Sequence, residues 1–135
     1  MKILFVCKHN RFRSKVAEAL FRKYNKNNKN EVRSAGVALD PLYQFAHKNV
    51  VIALEEIGAP IVSDKSRQVD EGLIDWADKI IIDADNVNPL IFEGKDVEQW
   101  GVSDTDQTDM PGIKKRIKII EKKVKDLIKR INKKQ

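Results

Sequence analysis

The chain has 135 residues, 41% of them hydrophobic and 34% charged, with one cysteine; that suits a single domain over 1–135 and excludes an internal disulfide. No uncharged apolar stretch approaches the length of a membrane span, and the lone thiol fits a cytoplasmic protein. The formal net charge is +6, but residues 111–135 carry eleven Lys and Arg against Glu121 and Asp126, a balance of +9, which leaves the other 110 residues at −3. Basicity confined to one terminal segment argues against a nucleic-acid-binding face across the fold.

Lys2 to Val6 reads as a central parallel strand, because the run is apolar without alternation and too short for a signal-peptide core. A polar, basic segment follows from Cys7, and a helix begins near Ser14 with Ala17, Leu20, Phe21 and Tyr24 on its buried face. The Asn-rich stretch 25–30 ends that helix, and Glu31 to Val37 is a second strand closing in Gly36. Asp40 and Pro41 predict the start of another helix, with Ala46, Val50, Ala53 and Ile57 inward and Gly58 as its stop. His47 falls within this helix as a packing or surface residue.

A loop with Ser63, Lys65, Ser66 and Arg67 leads to a short helix around Leu73 to Trp76. Ile80 to Ile82 is the next buried strand, ending at Asp83; a loop to Pro89 and a fourth strand before Trp100 follow. Pro111 and Gly112 precede a final helix whose Ile113, Ile117, Ile120, Val124, Leu127 and Ile131 recur at steps of four and three, flanked by lysines. Alternating strand and helix patterns predict an α/β fold: three layers, with a four-stranded parallel sheet and helices on both faces. No His/Cys cluster has metal-ligand spacing, so no metal is expected, and no cofactor.

The chemistry concentrates after the first strand. A loop leaving the carboxyl end of a parallel strand opens toward the usual ligand crevice, and its N–H groups, with the next helix's first turn, converge into an anion cradle. Lys8, His9, Asn10, Arg11, Phe12 and Ser14 form that cradle. Arg13 is a candidate bidentate clamp for two oxygens of a tetrahedral oxyanion. The same positive field favours a Cys7 thiolate, to which Ser14 can donate a hydrogen bond. Two fixed residues, Cys and Arg, make a weak motif by themselves; their place between the first strand and first helix gives it weight.

The segment Cys7-Lys-His-Asn-Arg-Phe-Arg13-Ser14 resembles the phosphate-binding loop of the low molecular weight protein tyrosine phosphatases and the arsenate reductases that share their fold. Ser34-Ala35-Gly36, Ser66-Arg67-Gln68, Asp83-Ala84-Asp85-Asn86 and Trp100-Gly101 before Asp104 resemble further motifs of that family in order. The resemblance implies Cys7 as nucleophile, Arg13 as oxyanion clamp and Asp104 as general acid, with Asp106 or Asp109 as the acid if the alignment shifts by a few residues. An acid that must hold its proton predicts partial burial or an acidic neighbour. The chain departs from the family at His9, where Gly is usual, at Lys15, where Pro is usual, and at Thr105, which stands in place of the Pro after the acid. The aromatic pair after the acid is missing too, and Ile81 and Asn88 stand where thioredoxin-coupled arsenate reductases need cysteines.

These features predict a cysteine-dependent phosphomonoesterase acting on a phosphorylated protein or small phosphomonoester. The alternatives are an arsenate reductase that borrows an external thiol partner and a non-catalytic oxyanion-binding module. Neither nucleic acid nor membrane is an expected partner.

Overall fold

Ile3, Leu4, Phe5 and Val6 have no solvent exposure, and successive side chains of a strand point to opposite faces. A strand buried on both faces needs a covering layer on each. In this computed structural model, which describes residues 1–133, β1 (Lys2–Cys7) is central in a four-stranded parallel sheet of order β2-β1-β3-β4. The other strands are β2 (Glu31–Gly36), β3 (Lys79–Ile82) and β4 (Val97–Gln99). Cys7 lies opposite Gly36 in the register with β2, and Val6 opposite Ile82 in that with β3.

Ile3, Phe5 and Ile81 pack under α1 (Arg13–Tyr24), α2 (Lys48–Glu56) and α4 (Met110–Lys133). Leu4, Val6, Ile80 and Ile82 pack on the opposite face under α3 (Glu71–Trp76) and a 3₁₀ turn, Pro89–Phe92. Three layers result, as the alternating pattern predicts. All six stripe residues of α4 are buried, while Lys114, Lys115, Lys118, Lys122, Lys125 and Lys129 are exposed. No helix among the described residues is long and apolar enough to cross a membrane.

Two boundaries differ from the sequence reading. α2 starts at Lys48 rather than at Pro41, because tertiary bonds claim the chain before it. Asp40 Oδ1 accepts from the N–H groups of Leu42 and Tyr43, Phe45 pairs with Lys65 in an antiparallel bridge, and Ala46 N–H donates to Asp64 O at 2.7 Å. His47 is therefore the cap of α2 and not an interior residue: its Nδ1 accepts from Asn49 N–H. Ile57 lies past the helix and is 37% exposed, so it is not part of the buried stripe, and Gly58 at φ 71° closes the end as expected. At α4, Pro111 and Gly112 belong to the first turn instead of preceding it; Asp109 Oδ1 accepts from Gly112 N–H at 3.0 Å and caps the helix.

Strand order decides where a site can form. The chain leaves β1 toward β2 on one side and then crosses to β3 on the other. The loops after β1 and β3 thus diverge, opening a crevice at the carboxyl ends of the two central strands.

Candidate active site

Cys7 ends β1 at that crevice, and residues 8–12 curl from it into α1. Asn10 holds the curl. Its φ of 54° lies in the left-handed region, which Asn tolerates better than most residues, and its side chain is fully buried. Its Oδ1 accepts from Arg67 N–H at 2.9 Å, and its Nδ2 donates to Ser14 Oγ at 2.7 Å and Ser34 Oγ at 3.1 Å. Ser66 Oγ donates to the Asn10 carbonyl at 3.1 Å.

These bonds have a direction. Because Nδ2 can only donate, Ser14 Oγ receives from Asn10, and its own proton is available to Cys7 Sγ, 2.9 Å away. Ser34 likewise receives from Asn10 and donates to Glu18 Oε1 at 2.6 Å. The network thus places a hydroxyl able to donate beside the sulfur, which a thiolate would accept from. Gly36 lets the curl approach β2: a Cβ there would meet His9 C at 2.7 Å, Asn10 N at 2.8 Å and Lys8 O at 2.8 Å, all backbone atoms.

Arg13 is 2% exposed, and both terminal nitrogens of its guanidinium have protein partners. Nη1 donates to Val102 O at 2.8 Å and pairs with Asp85 Oδ1 at 3.3 Å; Nη2 donates to Asn86 Oδ1 at 3.1 Å and lies 3.9 Å from Asp104 Oδ2. The loop after β3 and the segment after β4 thus aim the arginine that α1 supplies. A cleft of about 150 Å³ lies among Cys7, His9, Arg11, Phe12, Arg13 and residues 104–107. His9 donates from Nδ1 to Ala38 O at 2.6 Å, since a carbonyl only accepts. Arg11 bonds Phe45 O at 2.8 Å with its guanidinium 5.3 Å from the Tyr43 ring centre. Lys8 is exposed and outside the cleft lining, and Asn10 and Ser14 sit behind Cys7 as supports. A larger concavity, about 840 Å³, runs along β2 from Glu31 to Ser34, but no nucleophilic thiol lines it.

The three candidate acids separate by their bonds. Asp106 accepts from Thr108 N–H at 2.8 Å and Thr108 Oγ1 at 2.7 Å, which hold its carboxyl below the usual range and make it a poor proton donor. Asp109 is occupied in capping α4 and accepting from Thr105 Oγ1 at 3.2 Å. Asp104 accepts only from Thr105 N–H at 2.9 Å and turns its other oxygen toward Arg13. Its side chain is 47% exposed, so the partial burial expected of the acid is only half met. The most buried carboxyl is Asp83, where desolvation pushes it well above the ordinary value against the pull of Arg13 and Lys123. Neither of its oxygens has a hydrogen-bond partner among the described residues, and the 3₁₀ turn that follows is capped by Asn88 instead.

The sequence reading brought Cys7, Arg13 and Asp104 together, and the structure places all three at one cleft. It did not assign Asn86 or the Val102 carbonyl, which aim Arg13, nor Glu18, which ends the serine network. Asn86 lay within a quoted motif. A backbone carbonyl leaves no trace in a sequence.

Residues 2–135 match the model of the family described as low molecular weight phosphotyrosine protein phosphatase. No curated protein matches the sequence. Among solved structures, an arsenate reductase from Archaeoglobus fulgidus is 32% identical over 93% of this chain and 98% of its own, with a TM-score of 0.78. A low molecular weight protein tyrosine phosphatase from Bacillus subtilis is 26% identical over 98% of each chain, with a TM-score of 0.81. The YwlE arginine phosphatase, solved as a cysteine-to-serine mutant with a phosphorylated active-site serine, is 26% identical over 98% of this chain and 97% of its own, with a TM-score of 0.80. With a cysteine-bearing loop after β1, an arginine aimed from α1 and a family match along nearly its whole length, the chain belongs to the low molecular weight phosphotyrosine protein phosphatase family.

Proposed function

We propose that the chain hydrolyses phosphomonoesters through a cysteinyl-phosphate, with Cys7 as nucleophile, Arg13 as clamp and Asp104 as acid and base. The observation that carries this reading is the Ser14 hydroxyl directed at Cys7 Sγ beside a buried, fully aimed Arg13. The thiolate attacks phosphorus as the bond to the leaving oxygen breaks, and Asp104 gives that oxygen its proton. Arg13 and the N–H groups of residues 8–14 hold the equatorial oxygens, where charge is spread in the transition state. Asp104, now a carboxylate, takes a proton from the water that attacks phosphorus; the P–S bond breaks, inorganic phosphate leaves and the thiolate returns.

Lys8 contributes its backbone amide, since its side chain points to solvent, while His9, Arg11 and Phe12 line the entrance. Substrates are phosphorylated proteins or small phosphomonoesters. The arginine phosphatase among the similar structures makes phosphoarginine, where a P–N bond breaks, a substrate to include. Cys7→Ser is expected to abolish p-nitrophenyl phosphate hydrolysis, and Arg13→Ala to lower kcat/KM by about 10³-fold, comparable to losing one or two oxyanion donors. An active Cys7→Ser protein would remove the reading.

A second reading has its own support: Asp85 and Asn86, from the motif that most resembles arsenate reductases, are the residues holding Arg13. Arsenate would form the same adduct on Cys7. An external thiol would then attack Sγ, releasing arsenite as two thiols are oxidised to a disulfide.

A further inference from the structure

We propose that Lys15 is a built-in cation that positions the anion-binding loop: its ammonium pins residues 63–67 against Asn10, and through Asn10 keeps Ser14 aimed at Cys7. The proposal rests on the phosphomonoesterase reading and concerns what holds that site together. Lys15 lies in the first turn of α1, two residues after Arg13, and is 4% exposed. Its Nζ donates to Ser63 O at 2.7 Å and Lys65 O at 2.8 Å.

A cation in this place is opposed twice, by loss of water and by the positive end of the α1 dipole. Burial accordingly holds Lys15 below the ordinary lysine value, with Glu18, Asp64 and Cys7 drawing it back. Packing alone would be served by a methionine of similar length, so the charge itself needs a reason. The two residues after Lys65 supply it. Ser66 Oγ grips the Asn10 carbonyl, and Arg67 N–H grips Asn10 Oδ1.

On the side away from α1 the 63–67 segment is bonded to residues 44–46, with Ala46 N–H donating to Asp64 O at 2.7 Å and Ser66 N–H to Gln44 O at 3.0 Å, while Val62 before it is 74% exposed. Toward α1 the segment's tether is the Lys15 ammonium, through the Ser63 and Lys65 carbonyls. Without that charge, two carbonyls lose their shared donor and the segment moves outward. Asn10 then loses both grips, its left-handed backbone relaxes, and Ser14 is no longer held toward the sulfur. Lys15 touches no reacting atom in this scheme; it is a positioning residue.

The test replaces Lys15 and follows both binding and turnover. Lys15→Met keeps the apolar stem; it is expected to retain the wild-type circular dichroism while kcat/KM for p-nitrophenyl phosphate falls about 10- to 100-fold and inorganic phosphate binds about tenfold more weakly, the scale of a small misplacement of catalytic groups. Lys15→Ala leaves room for an amine, and added n-propylammonium is expected to restore several-fold of the lost kcat/KM there but none in Lys15→Met. Turnover by Lys15→Met within about twofold of wild type overturns the proposal. So does a Lys15→Ala defect that propylammonium leaves unchanged, including a failure to fold that the amine does not reverse. If wild-type protein neither hydrolyses the ester nor binds phosphate, the phosphomonoesterase reading fails instead, a result these variants cannot mimic.

Discussion

Asp83 shows how burial can outweigh nearby positive charge in setting one side chain. Both carboxyl oxygens are buried without a partner among the described residues, so the charged form is the costly one and the carboxyl is pushed well above its ordinary value. Asp usually contributes stability that disappears in acid; here the folded value is raised and the sign reverses. Between the unfolded value of about 3.9 and the folded one, the native state binds more protons than the unfolded state, so this residue's contribution falls as pH rises. Asp83→Asn has the same shape and no proton to lose. Its melting temperature relative to wild type is expected to rise as pH rises above about 4, the unfolded value; a difference independent of pH there would show that the folded value is not raised. At the same scale, the sequence made Cys7 and Arg13 legible through their placement. The burial of Asp83 and Lys15 was not legible, because nothing in their neighbours' identities says where water is excluded.

Elements were read best where periodicity and tertiary packing agree. The stripe from Ile113 to Ile131 predicts α4, and each of its members is buried against α1, α2 or the sheet. Fully burying one such side chain is worth about 1.5–3 kcal/mol, so the stripe docks the helix regardless of its lysines. Ile120→Ala is expected to destabilise by about 2–5 kcal/mol in urea unfolding with an unchanged m-value, since it removes three heavy atoms from a site with no exposure. Lys118→Ala on the exposed face is expected to shift stability by less than about 0.5 kcal/mol. Equal effects would mean that the helix is held by charge. α2 is the contrary case. Asp40-Pro41 is a sound start signal, yet hydrogen bonds between residues 44–46 and 64–66 hold the chain out of a helix there, and α2 starts at Lys48 behind its cap His47. Such long-range pairing is invisible to a local pattern.

The whole molecule gathers its candidate site from segments far apart in the chain: 7–14 supply the thiol and the arginine, 85–86 and 102 aim the arginine, 104 brings a carboxylate, and 34, 36, 66 and 67 hold the loop. Strand order explains why they meet, and the alternation of elements made that order readable in outline. The scarcity of thiols is a property of the same scale. Cys7 is the only cysteine in 135 residues, so no second sulfur of this chain can resolve an adduct on it. Phosphate transfer needs none, because water completes it. Reduction of arsenate removes two electrons from thiols, and one must come from outside. With arsenate alone, the protein is therefore expected to release no arsenite; with glutathione in excess, arsenite should appear together with a Cys7–glutathione mixed disulfide visible by mass spectrometry. Arsenite formed without added thiol would contradict the electron count, and none formed with thiol would leave hydrolysis as the chemistry of this cleft.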